Sequence, residues 1–112
     1  MKKKLYDFLV EKARSKKLTT YGEVADYLGI DLGNIGERYH ELGPLMGDLN
    51  KDMIADNKPL ITSIIILKNS RPLTPGEGFF EFAKRNKVMK LREDKHRFWI
   101  NELNKVFDEE WK

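Results

Sequence analysis

Pro59 to Phe80 reads PLITSIIILKNSRPLTPGEGFF: an apolar run, a polar turn, two prolines and a glycine-flanked start to an aromatic helix. Leu60 to Leu67 is nearly continuous in Ile and Leu, rich in β-branched residues and too short for a typical helix. It therefore predicts a central strand covered by protein. Lys68-Asn69-Ser70-Arg71 supplies turn chemistry, and Pro72 and Pro75 confine the returning segment to a short edge strand because proline cannot donate to a ladder. The stretch predicts a β-hairpin with a basic tip, and the remaining chain reads as helices packed around it.

On the N-terminal side, Leu5, Phe8, Leu9 and Ala13 recur at helical spacing, which predicts a first helix over residues 3–16 with Lys12, Arg14 and Lys16 on its polar face. Thr20-Tyr21-Gly22-Glu23 has the Thr-x-x-Glu form of a capping box, in which threonine and glutamate satisfy the free amides of a helix start. A second helix is expected from Tyr21 to Leu28, stopped by Gly29 in a left-handed conformation. Asp31 to Gly36 reads as loop and Glu37 to Leu42 as a short helical segment ended by Gly43-Pro44. Leu45, Leu49 and Met53, broadened by Met46 and Ile54, predict a third helix over 45–55 with Asp48, Asn50, Lys51 and Asp52 facing outward.

Beyond the hairpin, Phe79 to Lys87 predicts a helix with Phe79, Phe80, Phe82 and Ala83 in the core. Gly76-Glu77-Gly78 reads as turn geometry rather than an anion cradle, since Glu77 puts a negative charge inside it. Trp99, Leu103, Val106 and Phe107, with Ile100 and Trp111, predict a long last helix from Arg92 to Trp111. The fold class is thus α+β and mostly helical: a winged helix-turn-helix with a central β-hairpin as wing and a long C-terminal helix. The 112 residues are expected to form one domain, with an N-terminal helix (1–18), a winged-helix core (19–88) and a C-terminal helix (89–112).

Cysteine is absent, which excludes disulfides, thiolate nucleophiles and Cys-based zinc sites. His40 and His96 sit in no metal-ligand pattern, Asp48 and Asp52 share a helix face without a third ligand, and Thr62 and Ser63 have no neighbouring base. Neither catalysis nor a metal or other cofactor is expected. No apolar run approaches the length of a membrane span, and Lys2-Lys3-Lys4 leads into an amphipathic segment, so a cytoplasmic protein without a membrane partner is expected, as monomer or homodimer. The net charge of +3 is unevenly spread: residues 1–18 carry +5, residues 19–57 carry −6 and residues 58–112 carry +4. Seven basic residues fall between Lys84 and Arg97.

Thr19-Thr20-Tyr21-Gly22-Glu23-Val24-Ala25, Leu28-Gly29, Leu45 to Leu49, and Pro59 followed by an Ile-rich segment, turn and glycine-led helix together resemble the winged-helix domain of alkylguanine-DNA alkyltransferases and alkyltransferase-like proteins. The resemblance covers about residues 19–88. It implies a phosphate contact for Tyr21. The family's arginine finger would fall near Gly43-Pro44, and its Pro-Cys-His-Arg motif at Pro59-Leu60-Ile61-Thr62; arginine, cysteine and histidine are all missing there. Alkyl transfer is excluded by the missing cysteine, and what the resemblance implies is architecture.

Two functions follow as expectations. The first is a non-enzymatic protein that binds double-stranded DNA through Tyr21, through Asn50 and Lys51 on the third helix, through Lys68 and Arg71 on the wing, and through Lys84 and Arg85. The second is a protein-interaction module, an adaptor or inhibitor of a nucleic-acid-processing enzyme. It would dock its acidic face through Asp48 and Asp52, with Tyr39, Phe107 and Trp111 as aromatic anchors.

Overall fold

The element that holds the molecule together is a buried stretch of backbone that is barely a strand. The computed structural model describes residues 1–30 and 35–111, with the side chains of all of these except 35–41. Helix α1 spans Lys2–Arg14, strand β1 Thr19–Thr20, α2 Tyr21–Leu28, α3 Ile35–Ala55, a 3₁₀ helix Ile61–Ile64, β2 Ile65–Ile66, α4 Glu77–Arg85 and α5 Lys95–Asp108. The fold is α+β and mostly helical, and one apolar cluster runs through all the helices. Among the described residues no helix is long and apolar enough to cross a membrane.

The expected strand from Leu60 to Leu67 is corrected to the 3₁₀ helix followed by two strand residues. Ser63 explains the change: its N–H (3.0 Å) and its hydroxyl (2.6 Å) both donate to the Leu60 carbonyl, a local bond that competes with a ladder. The sheet is parallel, with Thr19 opposite Ile65 and Thr20 opposite Ile66, instead of an antiparallel hairpin. The segment after β2 returns only as far as one bond, from Leu67 N–H to the Thr74 carbonyl. Prolines bracket the return, and the Thr74 N–H is taken by Ser70 Oγ, so no second strand forms there. The Arg71–Pro72 peptide is cis.

Side chains from distant helices satisfy the polar groups of this buried segment. Glu102 on α5 accepts the Leu60 N–H at 2.8 Å, Trp99 donates its indole N–H to the Ser63 carbonyl at 2.8 Å, and Asn50 on α3 donates to Thr62 Oγ1 at 2.8 Å. All four of these side chains are buried. A backbone segment with few strand neighbours can enter a core only if its donors and acceptors are matched in this way.

The capping box forms as expected: Thr20 Oγ1 accepts the Glu23 N–H, and Gly29 closes α2 with φ +75°. A Cβ at Gly29 would meet nothing within 4 Å, so the cost of Gly29→Ala is conformational alone. Chemical denaturation should read it as about 1 kcal/mol; a neutral result would show that the left-handed cap is dispensable.

The boundaries of α3 and the last helix differ most from expectation. Of the loop expected over 31–36, residues 31–34 lie outside the described residues and Ile35 and Gly36 already belong to α3. That helix continues through Gly43-Pro44 instead of ending there. Proline disfavours helical backbone in the residue before it partly by clashing with that residue's Cβ, and Gly43 has none. The last helix starts at Lys95, where Asp94 caps the Arg97 N–H, and it stops at Asp108. Trp111 then folds back: its indole N–H donates to the Val106 carbonyl, its ring meets Tyr6 edge-on, and its own carbonyl accepts from the Arg14 guanidinium.

Candidate functional site

A cleft of about 900 Å³ opens between α3, the start of α2, the buried central segment and α4. Buried residues form its depth: Leu42 on α3, Phe79 and Phe82 on α4, and the Asn50–Thr62 pair. Half-buried Met46 and Leu67 continue the apolar wall. Exposed residues form its mouth, with Pro44, Asp48 and Lys51 on the α3 side and Glu77, Gly78 and Arg85 on the α4 side.

The local fold dictates this arrangement. Tyr21, placed by the Thr20 cap at the first position of α2, accepts the Gly76 N–H on its hydroxyl at 3.0 Å. A Cβ on Gly76 would stand 3.0 Å from that oxygen, so a larger residue there would push the Tyr21 hydroxyl back by a few tenths of an ångström. Gly76 gives α4 no side-chain cap. Asn50 lies within the apolar stripe of α3, four residues after Met46 and three before Met53. It is 3% exposed, and its Oδ1 has no hydrogen-bond partner among the described residues.

The sequence-predicted residues divide accordingly. Tyr21, Lys51 and Arg85 line the cleft. Lys68 and Arg71 are exposed on the loop that leaves the cleft at Leu67, and Lys84 is half-buried beside Arg85. Among the described residues none of Lys51, Lys68, Arg71, Lys84 and Arg85 makes an ion pair. Asn50 is a correction. It does not face outward from α3 but points its amide into the core, because helical period puts it on the Met46–Met53 face.

For the residues of the second reading, Asp48 is exposed, and Asp52 binds Lys2 at 2.8 Å, which holds the Lys2 ammonium above its ordinary pKa. Trp111 is a second correction: it is 5% exposed and closes the core rather than standing out as an anchor. Phe107 is half-buried against the same core, and the Tyr39 side chain lies outside the described residues, as do those of His40 and Glu41. Among the described residues no three His, Cys, Asp or Glu side chains gather as metal ligands, and exposed His96 lies edge-on to Trp99.

The residues that sequence reasoning missed are Thr62, Glu102 and the buried role of Asn50. A signal existed: Glu102 lies three residues after Trp99 and four before Val106, on the apolar face of α5, as Asn50 does on α3. A polar residue inside a helical stripe needs a buried partner. No family model, curated protein or solved structure matches the chain.

Proposed function

We propose that the chain is a non-enzymatic module that binds double-stranded DNA, with the loop 67–74 in the part of a wing and the mouth of the cleft turned to the duplex. The observation that carries the reading is a set of cations that lack ion pairs among the described residues: Lys51 and Arg85 at one cleft, Lys84 next to Arg85 in α4, and Lys68 and Arg71 on the loop after Leu67. Unpaired cations on one surface are what phosphate contacts need, because each displaces condensed counterions when it binds. The acidic residues that would oppose such an approach are partly neutralised, Asp52 by Lys2 and Glu77 by Lys95. The resemblance to the alkyltransferase winged-helix domain supports the same reading at the level of architecture. Asn50 has no part in it, and of the two contacts expected on α3 only Lys51 remains.

Of the residues named for the protein-interaction alternative, Asp48 alone is exposed without an ion pair among the described side chains. Asp52 is already paired, and Trp111 serves the core. The DNA reading is therefore preferred.

Fluorescence anisotropy with a generic duplex tests it. If the five cations each meet a phosphate, log K should fall with log salt at a slope of about −4.5, roughly a 500-fold loss between 50 and 200 mM. Lys68→Gln with Arg71→Gln should flatten that slope by about 2. Salt-independent or absent binding would remove the proposal.

A further inference from the structure

Lys90 to Glu93 is a tight turn with an apolar tip. The Glu93 N–H donates to the Lys90 carbonyl at 3.2 Å, and the Glu93 carboxylate accepts the Lys90 N–H at 3.1 Å, so one residue closes the turn from both directions. Both flanks are anchored: Met89, just before it, is buried, and Asp94, just after it, caps α5. Leu91 stands in this turn with 79% exposure, more than any other large apolar side chain among the described residues.

A lone exposed leucine is ordinary on a protein surface; the setting of this one is not. Lys84, Arg85, Lys87, Lys90, Arg92 and Arg97 surround it in sequence, and among the described residues none of the six makes an ion pair. The carboxylates within the stretch are already engaged, Glu93 with the Lys90 N–H and Asp94 with the Arg97 N–H. The remaining cation, Lys95, holds Glu77 at 2.9 Å. An apolar tip between free cations fits a polyanion that also offers an apolar surface. Duplex DNA does so when a base step opens, exposing base faces between two rows of phosphates. A lipid surface would be gripped through several apolar side chains, and here the neighbours Val88 and Met89 are half-buried and buried. A single leucine matches a single base step.

We propose that Leu91 is a wedge that enters the base stack of duplex DNA from the minor groove, with Lys90 and Arg92 on the flanking phosphates. The hydrogen bonds of the turn hold the side chain in place beforehand, so little ordering is lost on insertion. The wedge rests on the duplex-binding reading and adds to it a deformation of the DNA.

The test is energy transfer across a short duplex that carries a donor dye at one end and an acceptor at the other, beside anisotropy of the same duplex. A central TpA step gives it a place that unstacks readily. The native chain should raise the transfer, because an inserted wedge kinks a duplex by about 20–90°. Leu91→Ala, at an exposed position, should fold as the native chain does and bind with the same salt slope, since a neutral side chain releases no counterion. It should leave the duplex straight. Leu91→Met, apolar and of similar reach, should keep the bend. Lys90 and Arg92 add two contacts to the five of the duplex reading, so Lys90→Gln with Arg92→Gln should flatten the salt slope by about 2; an unchanged slope overturns the placement of the turn on the phosphates. Binding without a bend, or a bend that survives Leu91→Ala, overturns the wedge and leaves duplex binding standing. Absence of binding overturns both. Vesicles of phosphatidylcholine and phosphatidylserine are the comparison: co-sedimentation that is lost in Leu91→Ala, with the duplex unbent by the native chain, overturns the wedge and assigns the turn to a lipid surface.

Discussion

Trp99→Ala should lower stability by about 4 kcal/mol, a large share of the 5–15 kcal/mol that holds a typical domain. Two losses combine. The indole is 3% exposed and fills space between α5 and the central segment, so its removal takes away burial and leaves a cavity. Its N–H also serves the Ser63 carbonyl at 2.8 Å, and that carbonyl sits in a residue with no solvent exposure. Without the indole the acceptor has neither a protein partner nor ready access to water. Trp99→Phe separates the terms: it retains most of the ring and loses the donor, for an expected cost of about 1–2 kcal/mol. Urea unfolding with an unchanged m value measures both. A loss for the alanine variant under about 1 kcal/mol would show that the central segment does not depend on α5.

Glu102→Leu should cost about 2–3 kcal/mol although leucine is the more apolar side chain. The carboxylate is 4% exposed and its Oε2 accepts the Leu60 N–H at 2.8 Å, while Oε1 lies 3.8 Å from the Lys105 ammonium. Hydrophobic replacement strands a buried amide, whose desolvation is then uncompensated. Glu102→Gln keeps an oxygen that can accept the same N–H, so its cost should be less than half that of the leucine variant. If leucine stabilises the protein instead, the Leu60 amide is reaching water and the account of the central segment is wrong. The two tests probe the same segment from adjacent turns of α5, so their effects should not add.

Legibility in the sequence followed the range of the interaction. Signals carried by neighbouring residues were readable: the Thr20–Glu23 cap, the Gly29 stop, the aromatic face of α4 and the apolar faces of α1 and α5 all appear where periodicity and capping put them. The central segment was misread as a strand because composition reports burial without reporting what satisfies the backbone. Leu60 to Leu67 is buried almost throughout, as its Ile and Leu content implies. Its partners, however, lie 12 to 42 residues away on α3 and α5, and no local pattern names them. Pro44 misled for the opposite reason: a strong local breaker was offset by the glycine before it. At the candidate site, the basic residues were legible from charge, and Tyr21 only through the resemblance to the alkyltransferase domain. The cleft itself was not, because it exists only where α2, α3, α4 and the central segment meet.

Thr19 and Thr20 perform two tasks at once. They are the whole of β1, paired in parallel with Ile65 and Ile66, and Thr20 is also the cap of α2. Fraying the first turn of α2 therefore loosens the sheet, and slipping the sheet uncaps the helix. The two openings merge into one cooperative event that spans 46 residues of chain. Tyr21, next in sequence, reaches the wall of the cleft from this shared unit.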